Sequence, residues 1–352
     1  MSDASETEAS RGCGPKPEAG TASPARITSL GGGHGLFQTL SAARQLTPES
    51  ITAVVTVADD GGSSGRIRRE LGQIPPGDLR MAIAALASDD PEVGFWAEAL
   101  QHRFGGHGAL AGHAVGNLLI AGLVDVLGSE IAALDAVARI TRSTGRVLPV
   151  CAEPLDIEAD VAGLDEDPRI VRPVRGQVAV ASTPGTVRRV RLIPPNPEAT
   201  PEAVEAIRNA DMVTLGPGSW FTSVIPHLMV PGVAAALDQT EAQKVVVLNL
   251  TAEPGETAGF SAERHIHMLI QHTTALQIDT VIVDASTIPS AVERSHLKRA
   301  AAQLGATVEF HEVRARDHAG RLGNVHDPAL LGAALRASYE RGRAAAAPDG
   351  AA

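Results

Sequence analysis

Two adjacent carboxylates, Asp59 and Asp60, lie where an apolar segment gives way to a run of glycine and serine. The segment 51–57 is apolar enough to form a buried strand. Carboxylates at the exit of such a strand can bind the hydroxyl groups of a ribose or a divalent cation, or they can cap the turn that follows. The next residues include Ser63, Ser64 and Arg66, whose hydroxyl and guanidinium groups are suited to binding phosphate.

A glycine-rich turn also follows the apolar segment 27–30 and precedes a predicted helix over 36–44. It consists of Gly31, Gly32, Gly33, His34 and Gly35. Glycines let the backbone approach a phosphate, and a helix N-terminus supplies free N–H groups and the positive end of the helix dipole. The turn matches neither the G-x-G-x-x-G dinucleotide pattern nor the Walker pattern. We interpret it as a phosphate site, with His34 either a phosphate donor or an exposed side chain.

Polar side chains also stand at the predicted starts of two further helices. Asp78 follows a Pro-Pro-Gly turn and is predicted to cap a helix over 79–86, while Arg80 has either a phosphate or an aspartate as its partner. His113 and Asn117 follow a glycine-rich loop at the start of a helix over 116–127. Asn117 either caps that helix or contacts a base or a sugar.

A third turn at a strand end is formed by Gly216, Pro217, Gly218 and Ser219, with Thr222 shortly after it. It follows a predicted strand over 212–215, and Asn249 lies at the end of another strand over 244–250. Parallel strands present their carboxyl ends at one edge of a sheet, where α/β proteins bind ligands. We therefore expect these turns to meet at one binding site.

The pattern of segments predicts an α/β fold. Its main part is a modified Rossmann-like, mostly parallel sheet with helices on both faces, in one domain over 26–344 between disordered tails at 1–25 and 345–352. Alternating and β-branched residues near 151–197 predict a small antiparallel insert, with strands over 155–161, 170–174, 177–182 and 187–194. A helix over 91–102 is predicted to turn Phe95, Trp96 and Leu100 inward.

Composition excludes several classes of protein. The 352 residues carry a formal net charge of −11, which disfavours nucleic acid as a partner. No apolar run reaches transmembrane length, and the polar N-terminal segment lacks the apolar stretch of a signal peptide. Two cysteines form neither a disulfide framework nor a zinc cluster. We expect a cytoplasmic protein that is not inserted in a membrane.

Several long motifs, in the same order along the chain, resemble the gluconeogenesis factor family of the YvcK type, within the CofD-like superfamily. They are GGGHGL at 31–36, ITAVVTVADDGGSSGRIR at 51–68, PPGDLR at 75–80, GHAVGN at 112–117, VLPV at 147–150, LGPGSWFTSVIPHL at 215–228 and NLTAEPGETAGF at 249–260. The resemblance covers residues 26 to 340. It differs from the usual family pattern at His34, at the Trp220-Phe221 pair and in the segment 250–257.

The resemblance implies a regulatory protein that binds UDP-N-acetylglucosamine or a related nucleotide. Such proteins support growth and cell shape on gluconeogenic carbon sources, have an unidentified downstream target, and are expected to form homodimers. In this interpretation the turns 31–35 and 216–219 bind the diphosphate, and Asp59 and Asp60 bind ribose or Mg²⁺.

Two alternatives remain. A CofD-like enzyme would transfer a phospholactate group from a guanylylated substrate to a deazaflavin, with Mg²⁺ bound by Asp59, Asp60 and Asp78. One tyrosine and two tryptophans offer few aromatic platforms for a deazaflavin. A nicotinamide-dinucleotide protein is the other alternative, supported by the acidic end of the second strand.

Overall fold

The protein is built from short strands and helices that alternate along most of the chain. The computed structural model describes residues 22–167, 169–253, 256–257, 259–273 and 276–346. Its strands are β1 (Arg26–Gly31), β2 (Ser50–Val55), β3 (Arg146–Pro149), β4 (Asp156–Ala162), β5 (Val171–Arg175), β6 (Thr186–Ile193), β7 (Met212–Leu215), β8 (Gln243–Val247), β9 (Thr280–Asp284), β10 (Thr307–His311), β11 (Arg314–Arg316) and β12 (Leu322–His326).

The helices connect these strands and cover the sheet that they form. They are α1 (Gly33–Arg44), α2 (Gly62–Leu71), α3 (Gly77–Leu86), α4 (Phe95–Gln101), α5 (Val115–Leu127), α6 (Glu130–Ile140), α7 (Gln177–Ala181), α8 (Pro201–Arg208), α9 (Ile225–Leu228), α10 (Pro231–Gln239), α11 (Ala262–His272), α12 (Ala291–Ala302) and α13 (Pro328–Ala346). The segment Trp220–Val224 forms a π-helical turn directly before α9.

The main sheet is parallel throughout. In the described part of the chain it has seven strands in the order β10-β9-β8-β7-β1-β2-β3. From β1 the chain first adds strands on one side, through β2 to β3, and later on the other side, from β7 to β10. The strand order therefore reverses between β1 and β7, and at such a reversal a crevice opens beyond the carboxyl ends of the strands. The predicted fold class is confirmed.

Burial explains why these segments form central strands. Every residue of β7 and of β9 is buried, and both strands consist mainly of valine, isoleucine and leucine. A near-continuous apolar run is typical of a parallel strand that is covered on both faces. Several helix ends are marked locally, since Ser129, Ser261 and Ser290 cap α6, α11 and α12 with their side chains.

The antiparallel insert is present, but one of its predicted strands is wrong. Strands β5, β4 and β6 form a three-stranded sheet, whereas the segment predicted as a strand over 177–182 is the short helix α7. Gly176 enters this helix with a φ of 99°, which directs the chain out of the sheet. The backbone N–H of Val178 then donates to Asp60 Oδ1 at 2.9 Å. A contact with a residue more than 100 positions away in the chain thus overrides the local β-propensity.

Other predictions differ from the structure in smaller ways. Residues 62–71 form helix α2, so Ser63 and Ser64 lie in a helical first turn and not in a flexible turn. Phe95 is 56% exposed, while Leu100 is buried as expected. The hairpin β11–β12 was not predicted.

The two chain ends are described only in part. Residues 1–21 and 347–352 of the predicted tails lie outside the described residues, and α13 continues to Ala346. Among the residues that the structure describes, no single helix has both the length and the apolar character needed to cross a membrane. The bent pair Trp220–Leu228 and Pro231–Gln239 reaches that threshold only when the two helices are taken together.

The contact between Asp60 and α7 leads to a first prediction. Asp60→Ala removes the acceptor for the Val178 N–H and should cost about 0.5–2 kcal/mol, as the loss of a helix cap does. Hydrogen exchange of the amides in β4, β5 and β6 should become faster, while Asp60→Asn, which keeps an acceptor oxygen, should change it little. Asp165→Ala is the control, because it removes only the peripheral pair with Arg172. Unchanged exchange in Asp60→Ala would show that this contact does not hold the insert.

Candidate functional site

The turns that follow β1 and β7 lie side by side at the reversal of strand order. Strands β1 and β7 are paired from Ile27 with Met212 to Leu30 with Leu215, so both strands end at the same level. Gly31 ends β1 and Gly33 begins α1, while Gly216 follows β7 directly. We call the segment 31–35 turn 1 and the segment 216–219 turn 3. The two predicted phosphate turns are therefore neighbours.

The backbones of the two turns touch. A Cβ atom added to Gly35 would lie 2.0 Å from the Pro217 carbonyl oxygen and 2.7 Å from Gly218 Cα. No side chain fits in that space, so glycine at position 35 is required by the approach of turn 3. His34, next to it, is exposed at the rim.

Asn249 holds turn 3 in place from the end of β8. Its Oδ1 accepts a hydrogen bond from the Gly218 N–H at 2.8 Å, and its Nδ2 donates to the Gly218 carbonyl at 2.9 Å. The amide thereby pairs with both polar groups of one glycine, whose φ of 141° is unfavourable for other residues. In this structure Asn249 positions the turn.

At the N-terminus of α1, the N–H groups of His34 and Gly35 have no hydrogen-bond partner among the described residues. The N-cap residue of α1, Gly32, has no side chain to accept the first N–H groups, and the first turn contains no acidic residue. Such N–H groups are satisfied by water or by an anion. The cleft between the turns measures about 190 Å³. Its lining consists of His34, Gly35, Gln38, Pro217, Gly218, Asn249, Leu250, Thr251, Glu253, Asn324 and His326.

A larger cavity adjoins this cleft. It has a volume of about 500 Å³ and shares Asn249, Leu250 and Thr251 with the cleft. Leu248, Phe260 and Ile288 contribute apolar surface, and the ionisable side chains of the lining are Glu263, Glu293, His265 and His296. Its size is within the range of cavities that bind small organic molecules.

Asp78 lies beneath turn 1 and is not the cap of α3. The N-cap of α3 is Pro76, and no side chain caps this helix. Asp78 keeps part of its surface exposed, but its carboxyl is packed so closely that a Cβ on Gly32 would lie 2.5 Å from Oδ2. Burial and the nearby Asp59 charge raise the pKa of Asp78 to about 7, against the opposing effects of the Gly33 N–H and Arg80.

Four predicted site residues form one buried hydrogen-bonded chain. Arg80 Nε donates to Asn117 Oδ1 at 2.9 Å, Asn117 Nδ2 donates to Ser63 Oγ at 3.0 Å, and Ser63 Oγ lies 2.9 Å from His113 Nδ1. The chain joins α3, α5 and α2. Asn117 is only 1% exposed and uses its amide on these partners, so in this structure it contacts neither a base nor a sugar.

The positive charge of the Arg80 guanidinium is balanced by carboxylates that lie at a distance from it. It is 2% exposed, and its Nη1 has no hydrogen-bond partner among the described residues. Burial is the main reason that its pKa falls to about 10, with repulsion from Arg103 adding to the effect. The charges of Asp78 and Asp59 act in the opposite direction. Arg80 therefore offsets the negative charge behind turn 1.

Other predicted residues are engaged within the protein. Asp59 Oδ1 accepts the Gly61 N–H at 2.9 Å, which is the Asx-turn alternative. Arg66 donates to the carbonyls of Ala109 and Ala111 and so holds the glycine-rich loop. Ser64 is buried close to Gly77, where an added Cβ would lie 2.2 Å from the Ser64 hydroxyl.

The predicted magnesium cluster fits the structure only in part. Within the described ranges, no three side chains of His, Cys, Asp or Glu lie close enough to hold a metal ion. Asp60 faces α7, whereas Asp59 and Asp78 are near enough for their charges to interact. Mg²⁺ often binds to one or two carboxylates together with ligand phosphates. Asp59 and Asp78 are thus the two residues that fit such an ion.

Several residues of the site were not predicted. Ser219 Oγ donates to Glu253 Oε2 at 2.8 Å, and Glu256 Oε1 accepts the Phe221 N–H at 2.7 Å. The hairpin β11–β12 brings Asn324 and His326 to the cleft. The two glutamates belong to the sequence motif at 249–260, whereas nothing local pointed to the hairpin residues. Thr222 is buried, and its hydroxyl has no hydrogen-bond partner among the described residues.

Comparison with known proteins identifies the family. The family model of the 2-phospho-L-lactate transferase CofD matches residues 27–320. The chain belongs to the CofD family. Within that family it is similar to proteins named gluconeogenesis factors, which confirms the resemblance in its sequence motifs.

Two relatives and one crystal structure show how far the similarity extends. A putative gluconeogenesis factor of Mycobacterium tuberculosis is 61% identical over 310 residues, which cover 88% of this chain and 89% of that protein. The gluconeogenesis factor of Bacillus subtilis is 36% identical over 284 residues, covering 81% and 86%. A UPF0052 family protein of Bacillus halodurans superposes with a TM-score of 0.76 at 32% identity, covering 88% of this CofD-family chain and 99% of the other.

The close approach of the turns can be tested by adding one methyl group. Gly35→Ala forces turn 1 away from Pro217 and should lower the free energy of unfolding by about 1–3 kcal/mol, as overpacking does. Gly122→Ala is the matched control, because Gly122 lies in α5 with open space around it. It should stabilise the protein by about 0.5–1 kcal/mol. Urea unfolding measures both; an unaffected Gly35→Ala variant would disprove the contact.

The pKa of Asp78 predicts a pH dependence of stability. The pKa of about 7 in the folded protein exceeds the ordinary pKa of 3.8. As the pH rises, the unfolded chain therefore loses this proton at a lower pH than the folded protein does. The stabilisation that protonated Asp78 provides is fully present at a pH below 3.8, the ordinary pKa, and is lost as the pH rises through about 7. The loss should amount to roughly 2–4 kcal/mol.

Asp78→Asn has no proton to lose and should remove this part of the pH dependence. Urea unfolding of both proteins between about pH 4 and about pH 8 measures it. Parallel stability curves would show that the Asp78 carboxyl ionises normally in the folded state.

Proposed function

We propose that this CofD-family protein binds a nucleotide sugar of the UDP-N-acetylglucosamine type in the cytoplasm and acts as a regulator of growth and cell shape. The observation that carries the proposal is the meeting of turn 1 and turn 3 at the reversal of strand order. The site combines two glycine backbones, the N–H groups of His34 and Gly35 at the start of α1 and an adjoining cavity large enough for an organic group. The names of the relatives support the gluconeogenic context.

The diphosphate of such a ligand would lie between the two turns. Backbone N–H groups of His34 and Gly35 at the start of α1 would donate to one phosphate, and that of Ser219 in turn 3 would donate to the other. Anion binding at a helix N-terminus needs no nearby cation. This explains how a chain with a net charge of −11 can bind a diphosphate.

The uncharged part of the ligand would occupy the adjoining cavity of about 500 Å³. The carboxylates of Glu263 and Glu293 can accept hydrogen bonds from the hydroxyl groups of a sugar or a ribose, and Leu248 and Ile288 offer apolar contact. This assignment moves the sugar contact from Asn117, which is buried, to the side of β8 and β9.

A CofD-like transfer reaction is a second candidate, favoured by Asp78. A carboxyl with a pKa of about 7 beside a phosphate turn is suited to taking up and releasing a proton at neutral pH. Incubation with guanylylated phospholactate, Mg²⁺ and a deazaflavin tests this reaction directly. A coupled product would establish the enzyme, whereas binding of UDP-N-acetylglucosamine without any product favours the regulator.

Isothermal titration calorimetry with UDP-N-acetylglucosamine tests the proposal. Asn249→Ala frees turn 3 and should weaken binding about tenfold or more, corresponding to about 1.5–3 kcal/mol for the lost hydrogen bonds. Asn209→Ala is the control, since Asn209 is exposed after α8 at the opposite edge of the sheet. NAD should compete poorly. Absence of both heat and a thermal shift at millimolar ligand would reject the proposal.

The regulatory role needs a test in cells. A strain that lacks the gene should recover normal shape on gluconeogenic carbon sources when it receives the wild-type protein, but not when it receives Asn249→Ala at equal abundance. Recovery with both proteins would separate the cellular role from the cleft.

A further inference from the structure

Two glutamates lie one behind the other beside the cleft. Glu253 lines the cleft with His34 and Gly218 and is partly exposed. Its Oε2 accepts the hydrogen bond from Ser219 in turn 3. Glu256 lies behind it, is only 3% exposed, and accepts the Phe221 N–H with its Oε1.

The carboxyl of Glu256 lies beside a second carboxyl group. Glu256 Oε2 is buried and has no hydrogen-bond partner among the described residues. The group that interacts with it is the carboxyl of Glu253. An ionised carboxylate only accepts hydrogen bonds, so two carboxyl groups can bond to each other only when one of them is protonated.

Burial makes that proton stable at neutral pH. Loss of solvent contact is the main cause that raises the pKa of Glu256 to about 8, and the hydrogen bond and the charge of Glu253 raise it further. The Phe221 N–H and Ser219 act in the opposite direction without cancelling the effect.

We infer that Glu256 holds a proton that it donates to Glu253 in a hydrogen bond, and that the cleft gains proton occupancy when a phosphate-bearing ligand binds beside Glu253. The inference concerns the same cleft as the proposed function and uses its ligand as the probe. A phosphate brought next to Glu253 makes a second negative charge there more costly, which favours the protonated pair. By linkage, protonation of the pair must tighten binding by the same factor.

Other ionisable groups face this region and form a constant background. His34 and His326 share the cleft with Glu253. His265 and Arg264 lie on α11, where His265 is buried and interacts with the Glu253 charge. Asp78, on the other side of turn 1, also titrates near neutrality. All five remain unchanged in variants of the glutamate pair, so their contribution cancels in the comparison.

The pair also predicts a preference among nucleotides. A nucleoside diphosphate ends in a free phosphate and carries more negative charge than the diphosphate diester of a nucleotide sugar. Glu253 should therefore disfavour UDP more than UDP-N-acetylglucosamine. Glu253→Gln keeps the shape, can donate to Glu256, and should improve the binding of UDP by the larger factor.

The test is calorimetric titration of the full chain with UDP-N-acetylglucosamine, in two buffers with different heats of ionisation. The diphosphate of this ligand has no group that titrates near neutral pH. For wild type, the Kd should rise with pH between about 7 and 9, by at most about tenfold per unit, and the heat should differ between buffers. Glu253→Gln and Glu256→Gln should both lose most of this slope.

Glu241→Gln removes one exposed negative charge at the opposite edge of the sheet and should retain the wild-type slope. A wild-type slope that persists in Glu253→Gln would overturn the inference, as would equal heats in both buffers for the wild type.

A measurement without ligand separates this inference from the proposed function. The stability of wild type should fall as pH rises through about 8, because the folded pair then loses its proton. Glu256→Gln should lack that fall. If UDP-N-acetylglucosamine does not bind at any pH, the proposed function fails. The stability measurement still tests whether Glu256 holds a proton, because parallel stability curves for wild type and Glu256→Gln would overturn the inference.

Discussion

The approach of two glycine backbones at the middle of the sheet is the constraint on which the site depends. Gly35 can lie against Pro217 only because it has no side chain. That contact follows from the level pairing of β1 with β7, which ends both strands at the same height. It fixes the start of α1 relative to turn 3, and Asn249 then fixes turn 3 from the next strand.

The charged groups around the cleft follow from this backbone arrangement. In the proposed function turn 1 binds phosphate through N–H groups, so no arginine is needed at the rim, and the one buried guanidinium described behind it, Arg80, balances Asp78 and Asp59 instead. On the other side of the cleft, burial raises the pKa of Glu256 to about 8. Both buried acids have pKa values close to neutrality, which makes the electrostatic field of the cleft sensitive to pH.

The sequence was sufficient to predict the strands of the site and its glycine turns. Both β1 and β7 are apolar runs that stop at glycine, and this local signal does not depend on the rest of the fold. The chain order of these segments also predicted the parallel sheet. The residues assigned to turn 1 and turn 3 do lie together, and their contact with a ligand stays a prediction.

Predictions that depended on distant contacts were less successful. The helix α7 replaces a predicted strand because Asp60 caps it from the far end of β2. Asp78 looked like a helix cap, yet the helix begins earlier and its carboxyl packs under Gly32. Asn117 looked available to a ligand, but Arg80 and Ser63 use its amide. In each case a partner far away in the chain decides the role, and local patterns do not reveal it.

A crystal structure of the protein soaked with UDP-N-acetylglucosamine tests the central claim most directly. We predict the diphosphate between the two glycine turns, within hydrogen-bond distance of the N–H groups of His34, Gly35 and Ser219, with the sugar or the nucleoside in the cavity beside β8 and β9. A diphosphate bound instead at the Asp59–Arg66 segment, away from Gly35 and Gly218, would contradict it.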